Sequence, residues 1–169
     1  MNIYLTGLIG SGKTTLGRGI ARSLELPFDD LDQAIGRLAG KPFRKVVEDD
    51  GWLAYRSFEY QVCKMFANSA QMVCGLGGGT PRYEWNRDVL RKTGITILLV
   101  ADLHVLAERV RDHDRPRVHQ GTTLEEDLER MWDEHKVIYL GFADIVYPTD
   151  QGKGIDAETQ ELLEILHQE

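Results

Sequence analysis

Gly7-Leu-Ile-Gly10-Ser-Gly12-Lys13-Thr14-Thr15 is the stretch whose reading decides the fold. It fits the pattern Gly-x-x-x-x-Gly-Lys-Ser/Thr in full, the signature of a loop that wraps phosphates. The spacing has a physical basis. Glycines let successive backbone N–H groups point inward with no Cβ in the way. A helix starting immediately after adds unsatisfied N–H donors and the positive end of its dipole. Lys13 reaches the β- and γ-phosphates, and the Thr14 hydroxyl is a ligand for Mg²⁺. Gly7, Gly10, Ser11, Gly12, Lys13, Thr14 and Thr15 are therefore expected to hold a nucleoside triphosphate, most simply ATP with Mg²⁺.

The flanks agree with this reading. Asn2 to Thr6 is a short apolar run of strand type, and Leu16, Ile20, Ala21 and Leu24 recur at helical spacing until Pro27. Further along, 28–30 reads as a short strand and 31–39 as a helix closed by Gly40, with Pro42 opening another short helix. A longer helix is expected over 51–68, with Leu53, Phe58, Val62, Met65 and Phe66 toward the core. Strands are expected at 71–76, 95–100 and 144–147, and helices at about 102–112, 124–139 and 156–167. Strands that are apolar on both faces and alternate with helices predict an α/β fold. Its parallel sheet is covered by helices on each side. The polar, cation-rich stretch 111–123 has few apolar anchors and is the expected mobile segment.

Composition narrows the function classes. The 169 residues fit one domain spanning 1–169, and 42% hydrophobic content suffices for a core. A formal net charge of −7 argues against general nucleic-acid binding, which needs a basic surface. No run reaches the ~20 apolar residues of a membrane span, and the first residues lack a signal-peptide pattern. Cys63 and Cys74 have no metal-ligand spacing around them and read as buried reduced thiols of a cytoplasmic protein. His104, His113, His119 and His167 read as surface residues, and Trp85 and Trp132 as packing residues.

Three further features suggest chemistry. Asp30 and Asp32 follow the expected second strand, where open parallel sheets bind ligands. Such a pair can serve Mg²⁺ and accept a proton from a substrate hydroxyl; the alternative is that one of them merely caps the next helix. Arg56 and Glu59 share a helix face, which alternatively is a surface ion pair of little consequence. Gly77, Gly78 and Gly79 after a buried strand offer close approach to a ligand.

Taken in order, these motifs resemble the shikimate kinase family, small P-loop kinases of the nucleoside-monophosphate-kinase type. The carriers are the phosphate loop, Asp30-x-Asp32, Gly51-Trp-Leu-Ala-Tyr-Arg56-Ser-Phe-Glu59, Gly77 to Gly79, and Arg115-Pro116. The resemblance covers nearly the whole chain. It implies a three-layer P-loop fold with a five-stranded parallel sheet, a substrate-binding segment at about 31–60 and a lid at about 111–123. It implies a monomer and transfer of the ATP γ-phosphoryl group to a hydroxyl of shikimate, a step of aromatic amino acid biosynthesis. By that resemblance Lys13, Asp32 and Arg115 are catalytic, with Asp32 as base, and Thr14 and Asp30 serve the metal. Arg109 lies near the adenine, while Arg56 and the glycine triplet hold the acceptor.

Three positions depart from the family pattern. Its Gly-Glu is Gly51-Trp52 here, and its lid Arg-Pro-Leu-Leu is Arg115-Pro116-Arg117-Val118. A second substrate-clamping arginine, expected in Arg-x-Pro-x-Tyr, is replaced by His135, with Val137 at the proline and Tyr139 retained. Neutral imidazole does not substitute for a guanidinium. Lys136, Arg130, Arg117 or protonated His135 could supply the charge. Two other readings are an acceptor such as another sugar acid or polyol, gluconate among them, and a regulatory module that binds nucleotide without catalysis.

Overall fold

In the computed structural model, which describes residues 1–112 and 118–168, β1 (Asn2–Thr6) is buried along its whole length. Its side chains divide by parity, as the period-two geometry of a strand requires. Ile3 and Leu5 pack with Leu16, Ile20, Leu162 and Leu163 on one face; Tyr4 packs with Val62, Phe66 and Leu90 on the other. β4 (Gly94–Val100) repeats the arrangement, with Ile97 and Leu99 on the first face and Leu98 on the second. Five strands, completed by β2 (Phe28–Asp30), β3 (Val73–Gly75) and β5 (Ile145–Pro148), form a sheet of order β2-β3-β1-β4-β5. Every pairing is parallel. The five-stranded parallel sheet and the three layers are those expected.

Helix α1 (Lys13–Ser23) packs beside α7 (Ile155–Leu166) over the first face. The second face carries α2 (Leu31–Ala39), α3 (Phe43–Asn68), α4 (Glu84–Leu90), α5 (Leu103–Arg109) and α6 (Leu124–Phe142). All strands point the same way, so the residues following β1, β2 and β3 gather at one edge of the sheet. That edge is where open α/β sheets place their ligands.

Several local expectations need correction. Helix α3 joins the expected short helix after Pro42 to the expected longer one across a kink at Gly51, whose φ of 84° and ψ of 171° are non-helical. Beyond the kink, Tyr55, Glu59, Val62, Cys63 and Phe66 face inward. That register turns Leu53 (86% exposed) and Met65 (54%) to solvent, against the sequence expectation. Trp85 packs on Tyr83 at 4.9 Å between ring centroids, and it does so at the surface. His119 is half-buried against Asp127 instead of lying free on the surface. The stretch 80–94, to which the sequence reading assigned nothing, holds a 3-10 turn (Thr80–Arg82) and α4. Cys63 and Cys74 are buried as expected, and burial pushes both thiols up. Among the described residues no helix is long and apolar enough to cross a membrane.

Candidate active site

The chain leaves β1 through Gly7, whose φ of +142° and nearness to the Leu99 carbonyl admit no side chain; a Cβ there would stand 2.4 Å from that oxygen. Helix α1 then begins at Lys13 with no side-chain cap, so its first N–H groups stay available for an anion. Lys13 Nζ donates to the carbonyl oxygens of Gly7 and Leu8, 2.9 Å each, which holds the ammonium at the mouth of the loop. Arg109 reaches in from the end of α5. Its Nη1 donates to Gly10 O at 3.2 Å and to Thr149 Oγ1 at 3.0 Å. A cleft of about 470 Å³ opens here, lined by residues 9–16 together with Asp30, Asp32, Arg109, Thr149 and Lys153.

Asp30 carries both readings that the sequence left open. Its Oδ1 caps α2 by accepting from the N–H groups of Asp32 and Gln33. Its Oδ2 accepts from Thr14 Oγ1 at 3.1 Å. A carboxylate and a hydroxyl thus face each other beside the phosphate loop. This hard-oxygen pair suits Mg²⁺, which typically takes one or two carboxylate ligands and completes its shell with phosphate oxygens and water. The described residues hold no cluster of three or more His, Cys, Asp or Glu that could cage a metal alone.

A second, smaller cavity of about 120 Å³ adjoins the cleft. Ile9, Lys13, Asp32, Gly77 and Gly78 line both spaces. Tyr55 donates its hydroxyl to Asp32 Oδ1 at 2.9 Å. Burial, reinforced by the Asp32 charge, raises the Tyr55 phenol well above its ordinary value, so it stays a donor. Arg56 lies over the rings of Trp52, Tyr55 and Tyr83 at 5.3, 5.0 and 4.7 Å, and its Nη1 donates to both Glu59 oxygens at 3.0 and 2.9 Å. Glu59 is fully buried and also accepts from Thr80 Oγ1 at 2.7 Å and Asn86 Nδ2 at 3.2 Å. The pair is an interior network, not the weak surface contact that spacing alone allowed. Gly79 sits against the guanidinium: a Cβ there would be 3.1 Å from Arg56 Nη2. Gly78 O accepts from the Tyr139 hydroxyl at 2.8 Å.

Lys13, Asp32, Arg56, Gly77, Gly78 and Gly79 are therefore gathered around one cavity. His135 is not in its wall. Burial first, and then the Arg82 charge, hold the His135 imidazole below its ordinary value, so the ring is neutral near pH 7. Lys136 pairs with Asp133 and Arg130 with Glu134, both on the exposed side of α6. Arg115 and Arg117 lie outside the described residues. At the far end of the expected lid, the N–H groups of Val118 and His119 bond to the Asp127 carboxylate at 3.1 and 2.8 Å.

The sequence model of shikimate kinase matches residues 9–167. This chain belongs to the shikimate kinase family. A shikimate kinase from Chlorobium luteolum is 36% identical over 168 residues, covering 95% of this chain and 82% of that one. One from Microcystis aeruginosa is 33% identical over 157 residues, covering 89% and 82%. The shikimate kinase from Acinetobacter baumannii in complex with shikimate superposes with a TM-score of 0.91 at 30% identity, covering 99% and 93% of the two chains. A gluconokinase from Sinorhizobium meliloti 1021 superposes with a TM-score of 0.57 at 20% identity, covering 98% and 95%, a likeness of fold alone.

Set against the shikimate kinase pattern, this chain adds wall residues to which sequence reasoning gave no role in the site. Trp52 stands where the family has Glu, and Tyr55 where it has Phe; both line the smaller cavity. Arg82 lines it too, and so does Asp127 of α6. A cation three residues past the glycine triplet was the available sign for Arg82. Asp127 had none, because its place depends on how α6 docks.

Proposed function

We propose that this protein transfers the γ-phosphoryl group of ATP to the 3-hydroxyl of shikimate, giving shikimate 3-phosphate and ADP. The observation that carries the reading is the shared wall: Lys13 and Asp32 border both the phosphate cleft and the smaller cavity. A hydroxyl in the second space would meet the terminal phosphate of a nucleotide in the first. Asp32 takes the hydroxyl proton as the oxygen attacks phosphorus, and the bond to the β-phosphate oxygen breaks with ADP as leaving group. Lys13 and the α1 N-terminus neutralise charge that spreads onto the transferring oxygens. Thr14 and Asp30 would hold Mg²⁺, which supplies charge neutralisation between the β- and γ-phosphates. Tyr55 fixes the orientation of Asp32, and Arg56 presents Nη2 to the acceptor while Glu59 holds Nη1.

The remaining roles belong to the same proposal. Arg109 serves the purine end of the nucleotide, and Arg115 is assigned to the phosphates. The chain acts as a cytoplasmic monomer, a reading supported by two buried thiols and a net charge of −7. A coupled assay of ADP release tests the central point. Shikimate should accelerate ADP formation far above the rate with water alone. Equal rates with and without shikimate would refute the reading, and acceleration only by gluconate or another polyol would replace the acceptor.

A further inference from the structure

The smaller cavity holds a second guanidinium that no expectation covered. Arg82 ends the 3-10 turn that follows the glycine triplet, and it is one of the residues that line the cavity. Its Nε is buried with no hydrogen-bond partner among the described residues. Buried donors without an acceptor are rare in native proteins and call for an explanation. Arg82 Cζ and Arg56 Cζ lie 5.9 and 4.7 Å from the same Tyr83 ring centroid, so both cations lie near one aromatic ring. Both also act electrostatically on the Tyr139 hydroxyl, which donates to Gly78 O of the cavity wall.

Charge balance makes Arg82 decisive. The wall contains the cations Lys13, Arg56 and Arg82 and the carboxylates Asp32 and Asp127. Glu59 stands directly behind Arg56 and offsets its charge. Without Arg82 the cavity would have no net attraction for an anion. The other basic groups nearby do not compensate: Lys136 and Arg130 pair outward, and neutral His135 lies off the wall. We propose that Arg82 recognises the carboxylate of the acceptor together with Arg56, so that selectivity for an anionic acceptor comes from the turn after the glycine triplet. Two guanidiniums can hold one carboxylate by charge-assisted hydrogen bonds from two directions.

The inference rests on the proposed function for the acceptor's identity, and its test separates the two. Equilibrium binding of shikimate and of its uncharged methyl ester is followed by tryptophan fluorescence, since Trp52 lines the cavity. The wild-type protein should prefer the carboxylate. Arg82→Met should weaken shikimate binding by about 10- to 100-fold, change ester binding by less than about twofold, and leave ATP binding intact. Arg82→Lys should recover part of the loss. Equal weakening of acid and ester would assign Arg82 a structural role, and unchanged shikimate binding would remove it from recognition; either result overturns the inference. Turnover is read in parallel over a panel of hydroxy acids and their uncharged analogues. Shikimate turnover with carboxylate selectivity unaffected by Arg82→Met refutes only this inference. Turnover of a different hydroxy acid, with its carboxylate preference lost in Arg82→Met, upholds it and refutes shikimate as acceptor.

Discussion

The Tyr55 hydroxyl and the Asp32 carboxylate are joined at 2.9 Å in the wall of the smaller cavity. The bond holds the Asp32 carboxylate in one orientation beside the phosphate cleft, which it also lines. Tyr55→Phe should therefore lower kcat by about 3- to 10-fold with little change in the KM for ATP, as expected for losing one orienting hydrogen bond. Asp32→Asn removes the proposed base and should cost about 10²- to 10⁴-fold. Steady-state kinetics with both substrates varied checks the pair. A Tyr55→Phe enzyme as slow as Asp32→Asn would show that the tyrosine does more than orient.

Asp30 divides its two oxygens between a helix cap and Thr14. Asp30→Ala should lose about 1 kcal/mol of stability through the cap. It should also raise the Mg²⁺ concentration needed for half-maximal activity. Asp30→Ser can restore a cap acceptor without the carboxylate, so it should recover stability but not the metal response. Urea unfolding and a Mg²⁺ titration distinguish the two effects; full rescue of both by serine would contradict the assignment.

Glu59 accepts from Arg56, Thr80 and Asn86 with no exposure to solvent. Removing it strands a guanidinium that is mostly buried. Glu59→Ala should destabilise the fold by about 3–5 kcal/mol, the usual cost of breaking one side of a buried pair. It should also raise the KM for the acceptor more than that for ATP, because Arg56 loses its anchor. Chemical denaturation followed by kinetics at low temperature checks both, and a loss under about 1 kcal/mol would place the pair among ordinary surface contacts.

His135 titrates below the ordinary 6.5 because of burial and of the nearby Arg82, and Glu134 only partly opposes this. The sign of the linkage follows. As pH falls through about 6.5, the unfolded chain takes up the proton before the folded one, so stability falls. Above that range the ring is neutral in both states and contributes nothing. The KM for shikimate should thus stay flat between about pH 7 and pH 8.5, since no histidine charge is lost there. A steep rise in acceptor KM over that interval, abolished in His135→Gln, would restore the protonated histidine as a clamp.

The sheet and the phosphate loop were legible in the sequence because both depend on local patterns. Residues 2–6 and 95–100 are apolar on both faces, and Gly7 to Thr14 carry their geometry in their spacing. Asp32, Arg56 and the glycine triplet could be singled out because they follow strand ends or share a helix face. Arg82 and Tyr55 were not singled out, since their roles arise when α3, α6 and the turn after β3 converge. Leu53 and Met65 misled for a related reason: helical spacing does not say which face meets the sheet, and the kink at Gly51 sets that register. Whether Glu59 was buried or a surface partner stayed open, because sequence spacing holds no information on burial.

The claim that this chain is a shikimate-phosphorylating enzyme is tested most directly by ³¹P NMR of a reaction containing the protein, ATP, Mg²⁺ and shikimate. The account predicts one phosphomonoester signal growing in step with ADP, coupled to the proton on C3 of the shikimate ring. Inorganic phosphate as the only new signal, or an unchanged ATP spectrum, would contradict it.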